Sequence, residues 1–230
     1  FSRTDNRNSL YASVAVGQRE PLRTDLKESV KGGGGEDRIR PEKMFDYELG
    51  YRFSNENGLN LGANLYYMDY KDQMVQTGKL NNVGYKLMEN VKNSYRAGVE
   101  LEVSVPFADN KFRFDANATL SQNKIKNYTA YFDLYNSDWD MIGQTSKEFE
   151  STQISFSPNA VGTAGLTYQP LRSLYFNILG KYVGKQYLDN TSDDAKSIPS
   201  YFVSNFSAGY TFDKTPIGRI ALQVFVSNLF

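Results

Sequence analysis

The sequence predicts an all-β fold, an antiparallel up-and-down transmembrane β-barrel, from the alternation of its side chains and the lengths of its connections. Residues 59–70, LNLGANLYYMDY, place Leu61, Ala63 and Leu65 on one face and mostly polar residues on the other. Successive Cβ atoms of a strand point to opposite sides, so strict alternation indicates a strand. The run is longer than a usual globular strand and suits a tilted membrane crossing, which needs roughly 9–11 residues.

Eight further segments share this pattern, which gives nine predicted strands in all. The others span residues 10–16, 44–53, 94–105, 112–125, 159–168, 174–182, 202–212 and 219–228. Because each segment alternates over most of its length, we predict that every one of them has a lipid-facing and an inward-facing side.

Short and long connections alternate along the chain. The short ones are residues 54–58, 106–110, 169–173 and 213–217, and the long ones are residues 18–43, 71–93, 127–157 and 184–201. Up-and-down pairing puts all short turns at one end of the sheet and all long loops at the other. Outer-membrane barrels have this asymmetry, with short periplasmic turns and long extracellular loops.

The two faces of the predicted strands differ in the way a membrane barrel requires. Charged residues lie on the polar face: Asp46, Glu48, Arg52, Arg96, Glu100, Glu102, Arg113, Asp115 and Lys181. Aromatic residues such as Tyr51, Phe112 and Tyr168 lie beside the short turns, as an interfacial girdle would. A soluble barrel or sandwich turns its apolar face inward instead, and this soluble alternative stays open at this point.

Composition excludes several function classes. The chain has no Cys and no His, so it has neither a disulfide framework nor a Ser–His–Asp or Cys–His catalytic arrangement. Its formal net charge of +0 gives no indication of a nucleic-acid partner. We predict no enzyme activity, no cofactor and no resident metal.

Several motifs carry a family resemblance. Residues 40–53, RPEKMFDYELGYRF, resemble the "KPE…YELG" strand of TonB-dependent outer-membrane receptors, and residues 94–105, SYRAGVELEVSV, resemble that family's "GxExE" strand. Three further stretches are similar to family segments in the same order: VGQREPLRTD (16–25), YVGKQYLDN (182–190) and VFVSNLF (224–230).

The resemblance implies a barrel of about 22 strands around an N-terminal plug. On this view residues 1–230 are the C-terminal portion of the barrel, without the plug, the N-terminal strands and the last strand. The implied location is the outer membrane of a Gram-negative bacterium, and the implied partners are lipid, the TonB complex acting through the plug, and a small extracellular ligand. A surface lipoprotein partner is left open.

The implied function is active uptake of a scarce substrate: a ferric siderophore or similar metal chelate, cobalamin, haem or a glycan. A passive porin-like channel is the first alternative, since the wall chemistry suits both. A soluble β-rich binding module is the second.

Candidate ligand contacts lie in the long connections. Residues 127–157 carry five aromatic residues, Tyr128, Tyr131, Phe132, Tyr135 and Trp139, which either stack against a ring of the ligand or pack the loop against its neighbours. Arg19 and Arg23 either contact an anionic ligand or join Glu20 and Asp25 in a charge cluster that orders the loop.

Three other patterns have a plainer interpretation. Asp189, Asp193 and Asp194 could hold Ca²⁺ through oxygen ligands, but a solvated loop is the simpler prediction. The run KGGGGE (31–36) lacks the features of a phosphate-binding loop and is predicted to be a flexible connection. Glu100 and Glu102, with Arg96 on the same face, are predicted to contact the plug rather than to form a catalytic pair.

Overall fold

A computed structural model describes residues 2–31, 39–80 and 85–230. Its strands are β1 (Ser2–Thr4), β2 (Asn8–Arg19), β3 (Glu42–Ser54), β4 (Asn60–Leu80), β5 (Lys86–Phe107), β6 (Phe112–Tyr135), β7 (Met141–Gln153), β8 (Ala160–Leu171), β9 (Leu174–Val183), β10 (Gln186–Tyr187), β11 (Ser197–Ile198), β12 (Tyr201–Thr215) and β13 (Gly218–Val226). All nine predicted strands are confirmed, as β2–β6, β8, β9, β12 and β13.

One antiparallel sheet contains all of the long strands. Its order is β1-β2-β3-β4-β5-β6-β8-β9-β12-β13, with β7 paired to β6 off this path, and β10 and β11 form a small sheet of their own. Neighbours along the path are neighbours in the chain, apart from the positions of β7 and of β10–β11. The predicted up-and-down topology is therefore confirmed, and among the described residues the sheet is open, with β1 and β13 at its edges.

The short and long connections separate to opposite ends of the sheet, which we call the turn end and the loop end. Two long connections, however, are largely strand. β4 and β5 continue past the predicted strand ends into a paired extension, and β6 continues to Tyr135 and pairs with β7. The extensions were missed because the inward alternation breaks at Asp72 and Asn127, whose φ angles are positive at 52° and 53°. Asp and Asn tolerate that conformation better than most residues.

The apolar face of the sheet is left uncovered. Val14, Val16 and Leu65 are 70%, 67% and 55% exposed on it. At the turn end, rings from four adjacent strands stack in a row, with centroid separations of 5.3 Å (Phe107–Phe112), 4.5 Å (Phe112–Tyr168) and 6.3 Å (Tyr168–Phe176). A large exposed apolar face bordered by aromatic rings is what a lipid-facing barrel wall requires.

On the polar face, long side chains lie across glycines of the neighbouring strand. The ring of Tyr11 covers Gly50, where an added Cβ would lie 2.1 Å from the tyrosine Cε1, and its hydroxyl donates to Asn64 Oδ1 at 3.1 Å. Tyr175 covers Gly209 in the same way and accepts a hydrogen bond from Gln223 Nε2 at 2.7 Å. Each tyrosine thus links three strands and helps to fix their register.

The helical content is small. Helix α1 (Arg23–Lys31) follows β2, and a 3-10 helix (Asp194–Lys196) precedes β11. No helix among the described residues is long and apolar enough to cross a membrane. The glycines of the KGGGGE run lie outside the described residues.

Candidate functional site

A hydrophobic cluster holds the paired extensions together at the loop end. Its buried members come from β4, β5 and β6 and from the segment after β7: Val75, Val91, Ile125, Tyr128, Ala130 and Ile154. Ile125 lies before the positive-φ residue Asn127, whereas Tyr128 and Ala130 lie after it. The break at Asn127 therefore changes the parity of β6, so that even-numbered side chains face the cluster beyond it.

Tyr128 is the central ring of this cluster. It is 5% exposed and packs against Phe149, with ring centroids 6.5 Å apart. Its hydroxyl donates to Glu89 Oε1 at 3.0 Å. Burial, reinforced by the Glu89 carboxylate, raises the pKa of Tyr128 far above its usual range, so the ring stays neutral.

Asn190 attaches the β9–β12 connection to both extensions. Its side chain is fully buried, donates from Nδ2 to the backbone oxygen of Gln76 at 2.8 Å, and accepts from the backbone N–H of Ser155 at 2.9 Å. Nearby, the N–H of Gln153 donates to Ser192 Oγ at 2.7 Å. Three separate connections therefore form one body at the loop end.

The tip of the β6–β7 hairpin presents aromatic side chains to solvent. Tyr131 and Tyr135 are each 53% exposed and Trp139 is 83% exposed, and the rings of Tyr135 and Trp139 lie 6.4 Å apart at 49°. The tip is fixed by Asn136, whose Oδ1 accepts from the N–H groups of Asp138 and Asp140 at 2.9 Å and 2.8 Å. A φ angle of 64° at Trp139 is unusual for so large a side chain.

Arg19 joins three strands and lines a cavity. Its guanidinium donates to Glu42 Oε2 and to the backbone oxygen of Met74, both at 3.2 Å, and Glu42 Oε2 also accepts from the N–H of Met74. Arg19 therefore joins β2, β3 and β4. It lines a cavity of about 550 Å³ together with Glu20, Leu22, Asp25, Met74, Gln76, Tyr85 and Met88.

The helix beside this cavity begins at Arg23. Asp25 is 7% exposed, accepts from the N–H of Leu22 at 3.2 Å and from the Tyr85 hydroxyl at 3.3 Å, and so holds the start of the helix against β5. The Arg23 side chain is exposed, with no hydrogen bond or ion pair to another described residue.

Acidic residues of the β9–β12 connection form ion pairs with lysines of the same connection. Asp194 Oδ1 accepts from Lys185 Nζ at 2.6 Å, Asp189 Oδ2 accepts from Lys196 Nζ at 3.1 Å, and Asp193 caps the 3-10 helix. The Lys185 ammonium lowers the pKa of Asp194. Burial would raise the pKa of Asp189, but hydrogen bonds from Thr191 and Lys196 outweigh it and the pKa is lowered.

The polar face forms a continuous charged wall. Arg52 Nε lies 3.8 Å from Glu102 Oε1, and Asn64 Nδ2 donates to Glu100 Oε2 at 3.3 Å. Arg96 donates instead to Ser157 Oγ at 3.0 Å and to Asn123 Oδ1 at 3.3 Å. These are contacts along the wall, and the pair of Arg52 and Glu102 reaches across the intervening strand β4 at Gly62.

The sequence model of one family, described as "TonB dependent receptor-like, beta-barrel", matches residues 3–229. The chain belongs to this TonB-dependent receptor family. Its members are outer-membrane transport receptors, so the resemblance in the sequence motifs is confirmed. No curated protein sequence matches the chain.

Solved receptor barrels resemble the chain throughout its length. The copper transporter OprC matches with a TM-score of 0.68 at 19% identity, covering 98% of this chain and 32% of that one. The siderophore receptor PiuA from Acinetobacter baumannii gives 0.66 at 21%, covering 98% and 30%. A mutant of the ferric enterobactin receptor PfeA from Pseudomonas aeruginosa gives 0.64 at 19%, covering 99% and 33%. The chain therefore spans about a third of these receptors, and the likeness concerns the fold.

The predicted contact residues of this TonB-dependent receptor chain fall into two groups. Tyr128 and Phe132 pack the loop end, and Lys196 Nζ lies 5.8 Å from the centroid of the Phe132 ring. Tyr131, Tyr135 and Trp139 are exposed at the hairpin tip. Packing, one of the two alternatives that the sequence left open, therefore describes Tyr128 and Phe132, whereas ligand contact by the exposed rings stays a prediction.

The structure also gives the contacts of the charged residues that the sequence singled out. The predicted charge cluster does not form ion pairs among its own members, which are Arg19, Glu20, Arg23 and Asp25. Arg19 pairs with Glu42 instead, and Asp25 holds the start of the helix. No group of three acidic residues in the described part of the chain could hold a metal ion. Sequence reasoning missed the fully buried Asn190 and the partly buried Glu89, because the composition of the predicted connections 184–201 and 71–93 carries no signal for such contacts.

Proposed function

We propose that this chain is the C-terminal portion of the barrel of a TonB-dependent receptor that takes up a scarce substrate across the bacterial outer membrane. The family match over residues 3–229 carries the proposal. The segregation of turns and loops supports it, because it gives the chain a turn end for the periplasm and a loop end for the exterior. The substrate class we favour is a ferric siderophore or similar metal chelate, with cobalamin, haem or a glycan as alternatives.

The names of similar structures support a metal-chelate substrate. Among them are receptors named for ferric enterobactin and for siderophores, and a copper transporter. We propose that energy for uptake comes from the TonB complex through a plug domain seated against the polar wall. The charged side chains of that wall, such as Arg52 and Glu102, would face the plug.

We propose that Tyr131, Tyr135 and Trp139 contact the ligand. The placement of these rings supports this, since Trp139 is 83% exposed beside Tyr135, with ring centroids 6.4 Å apart, on a turn that Asn136 holds in place. Aromatic rings on a rigid support can stack against a catecholate, corrin or sugar ring. Arg23 is proposed to contact an anionic group, whereas Tyr128, Phe132 and Arg19 support the site from beneath.

The proposal is tested by growing a strain that lacks the gene on a panel of scarce nutrients, with TonB either intact or deleted. Loss of one nutrient's use, reproduced by deleting TonB, is the expected result and names the substrate. Uptake that persists without TonB would refute active transport and favour the alternative function, a passive pore.

Variants then test the contact residues. Trp139→Ala should raise the KM for uptake by roughly three- to tenfold, the value of one aromatic contact. Ile217→Ala is the matched control, because Ile217 is 85% exposed at the opposite, turn end of the sheet. Equal KM values for the two variants would contradict the role of the hairpin tip.

A further inference from the structure

Three lysines lie in one row on the outward, lipid-facing side of the sheet at its loop end. Register aligns Lys43 on β3, Lys71 on β4, Asn93 on β5 and Lys126 on β6. The lysines share the face of Leu65, because each lies an even number of residues from the lipid-facing positions of its own strand. We call Lys43, Lys71 and Lys126 the lysine row.

The lysine row lies at the boundary of the membrane-spanning wall. On its membrane side, the rings of Tyr47, Tyr67 and Tyr95 form a ladder, with successive centroids 6.4 Å and 5.9 Å apart. Between the turn-end ring of Phe107 and Tyr95, β5 covers roughly 30 Å of height, at about 3.3 Å per residue and a tilt of about 40°. This height matches the hydrocarbon core of a bilayer, so the lysines lie at the level of the lipid headgroups.

The described part of the chain leaves the positive charge of this row largely uncompensated. Lys43 lies directly opposite Lys71 in the ladder, and like charges in that arrangement destabilise a sheet. Lys71 Nζ lies 3.2 Å from Asp69 Oδ2, which is the one carboxylate among the described residues within ion-pair distance of the row. Lys126 Nζ lies 5.5 Å from the centroid of the Tyr95 ring. An anion from outside the chain would therefore relieve the repulsion.

The positive charge is confined to one part of the wall. The last outward-facing row of β8, β9 and β12 consists of Gly162, Tyr182 and Phe202, and it carries no charge. Lipid headgroups surround a barrel evenly, so lysines that served only to meet them would be spread along the rim. Their concentration on three strands indicates a local binding site.

The surroundings of the lysines specify the chemistry of the ligand. An ammonium group binds phosphate oxygens as a compact charge with three donors. Directly below the row, Tyr67 and Leu65 present apolar surface that is 43% and 55% exposed. A soluble anion would use the lysines alone, whereas a lipid with an anionic headgroup would use both the lysines and this surface.

We propose that the lysine row binds the phosphate of an anionic membrane lipid, whose acyl chains lie against the wall beside Tyr67 and Tyr95. The site recognises the headgroup and differs in this from the general contact of a barrel wall with lipid. The inference rests on the outer-membrane placement of the family. It is independent of the transported substrate, so a failed uptake assay would leave it unaffected.

Native mass spectrometry of the intact protein, delipidated in a non-ionic detergent, tests the site with two synthetic probes. Dioleoyl phosphatidic acid carries a phosphate, and dioleoylglycerol has the same chains without it. The wild type should retain phosphatidic acid at least tenfold better than dioleoylglycerol. Lys43→Gln combined with Lys71→Gln should lower its retention at least fourfold, since each exposed charge contact contributes about two- to fivefold.

Two further variants make the test specific to this row. Lys111→Gln combined with Lys214→Gln is the matched control, because both lysines are exposed at the turn end of the sheet, and it should leave retention unchanged. Asp69→Asn removes the carboxylate that competes for Lys71 and should raise retention about twofold.

Three results would overturn the proposal. Equal retention of the two probes by the wild type would show that the headgroup is not recognised. Equal losses in the Lys43/Lys71 variant and in its turn-end control would show that no local site exists. Displacement of phosphatidic acid by an equal concentration of inorganic pyrophosphate would assign the lysines to a soluble anion instead of a lipid.

Discussion

Replacing Tyr128 separates a packing role from a ligand-contact role at the loop end. The side chain is 5% exposed, packs within the hydrophobic cluster and donates to Glu89. Truncating a buried aromatic residue to Ala costs about 3–5 kcal/mol. Tyr128→Phe keeps the ring but loses a hydrogen bond to a carboxylate, which is worth about 1.5–3 kcal/mol.

Hydrogen exchange of the β6–β7 amides in the intact protein measures these costs. A loss of about 3–5 kcal/mol in the free energy of local opening corresponds to exchange roughly two to four orders of magnitude faster. Tyr128→Ala should therefore open the hairpin, and Tyr128→Phe should have a smaller effect of about one to two orders of magnitude.

Tyr131→Ala is the matched control, since Tyr131 lies three residues further along the same strand and is 53% exposed. Its effect on exchange should stay within about 0.5 kcal/mol. The reasoning would be refuted if Tyr128→Ala left exchange unchanged while lowering the affinity for the transported ligand, because the ring would then act on the ligand directly.

Three further predictions concern the support of the loop end and of the sheet. Asn190→Ala should speed exchange of residues 186–198 by one to two orders of magnitude, because two partly buried backbone groups lose their partners at about 1 kcal/mol each. Unchanged exchange would show that the attachment is redundant. The pKa of both Asp189 and Asp194 is lowered from 3.8, so their ion pairs stabilise the folded loop above about pH 4 and are lost as the pH falls below it. The protection of the same residues, taken relative to intrinsic exchange at each pH, should accordingly be constant from pH 4.5 to 6 and fall at pH 3, and a flat protection profile would contradict this. Gly98→Ala places a Cβ 2.7 Å from the backbone oxygen of Leu120 and should lower the free energy of unfolding in detergent by about 1–3 kcal/mol. In contrast, Gly143→Ala, with no atom within 4 Å of the added Cβ, should be neutral or slightly stabilising.

Much of the fold could be predicted because the geometry of a membrane barrel produces patterns that are local in the sequence. Each crossing strand has one face in lipid and one facing inward, so residues such as Leu61 and Leu65 alternate with Asn60 and Asn64 over a long run. The alternation of short and long connections then fixed the up-and-down topology. The extensions of β4 and β6 were not predicted, because Asp72 and Asn127 interrupt the alternation with a left-handed backbone conformation.

The candidate site was only partly predictable. The cluster of rings in residues 127–157 located the aromatic surface, but all five look alike in the sequence. Only the change of parity at Asn127 buries Tyr128 and leaves Tyr131 exposed. A single residue in an unusual conformation therefore decides which rings support the loop and which are displayed.

By itself, the sequence determined the strands, their two faces, the orientation of the loops and the family, because all of these depend on periodicity and short motifs that are local in the chain. The tertiary structure decided which distant residues meet. Asn190 contacts Gln76 across 114 residues of sequence, and Ser204 joins Ala116 in one row through two intervening strands. Such contacts depend on strand register and on the path of the connections, and neither is encoded in any one segment.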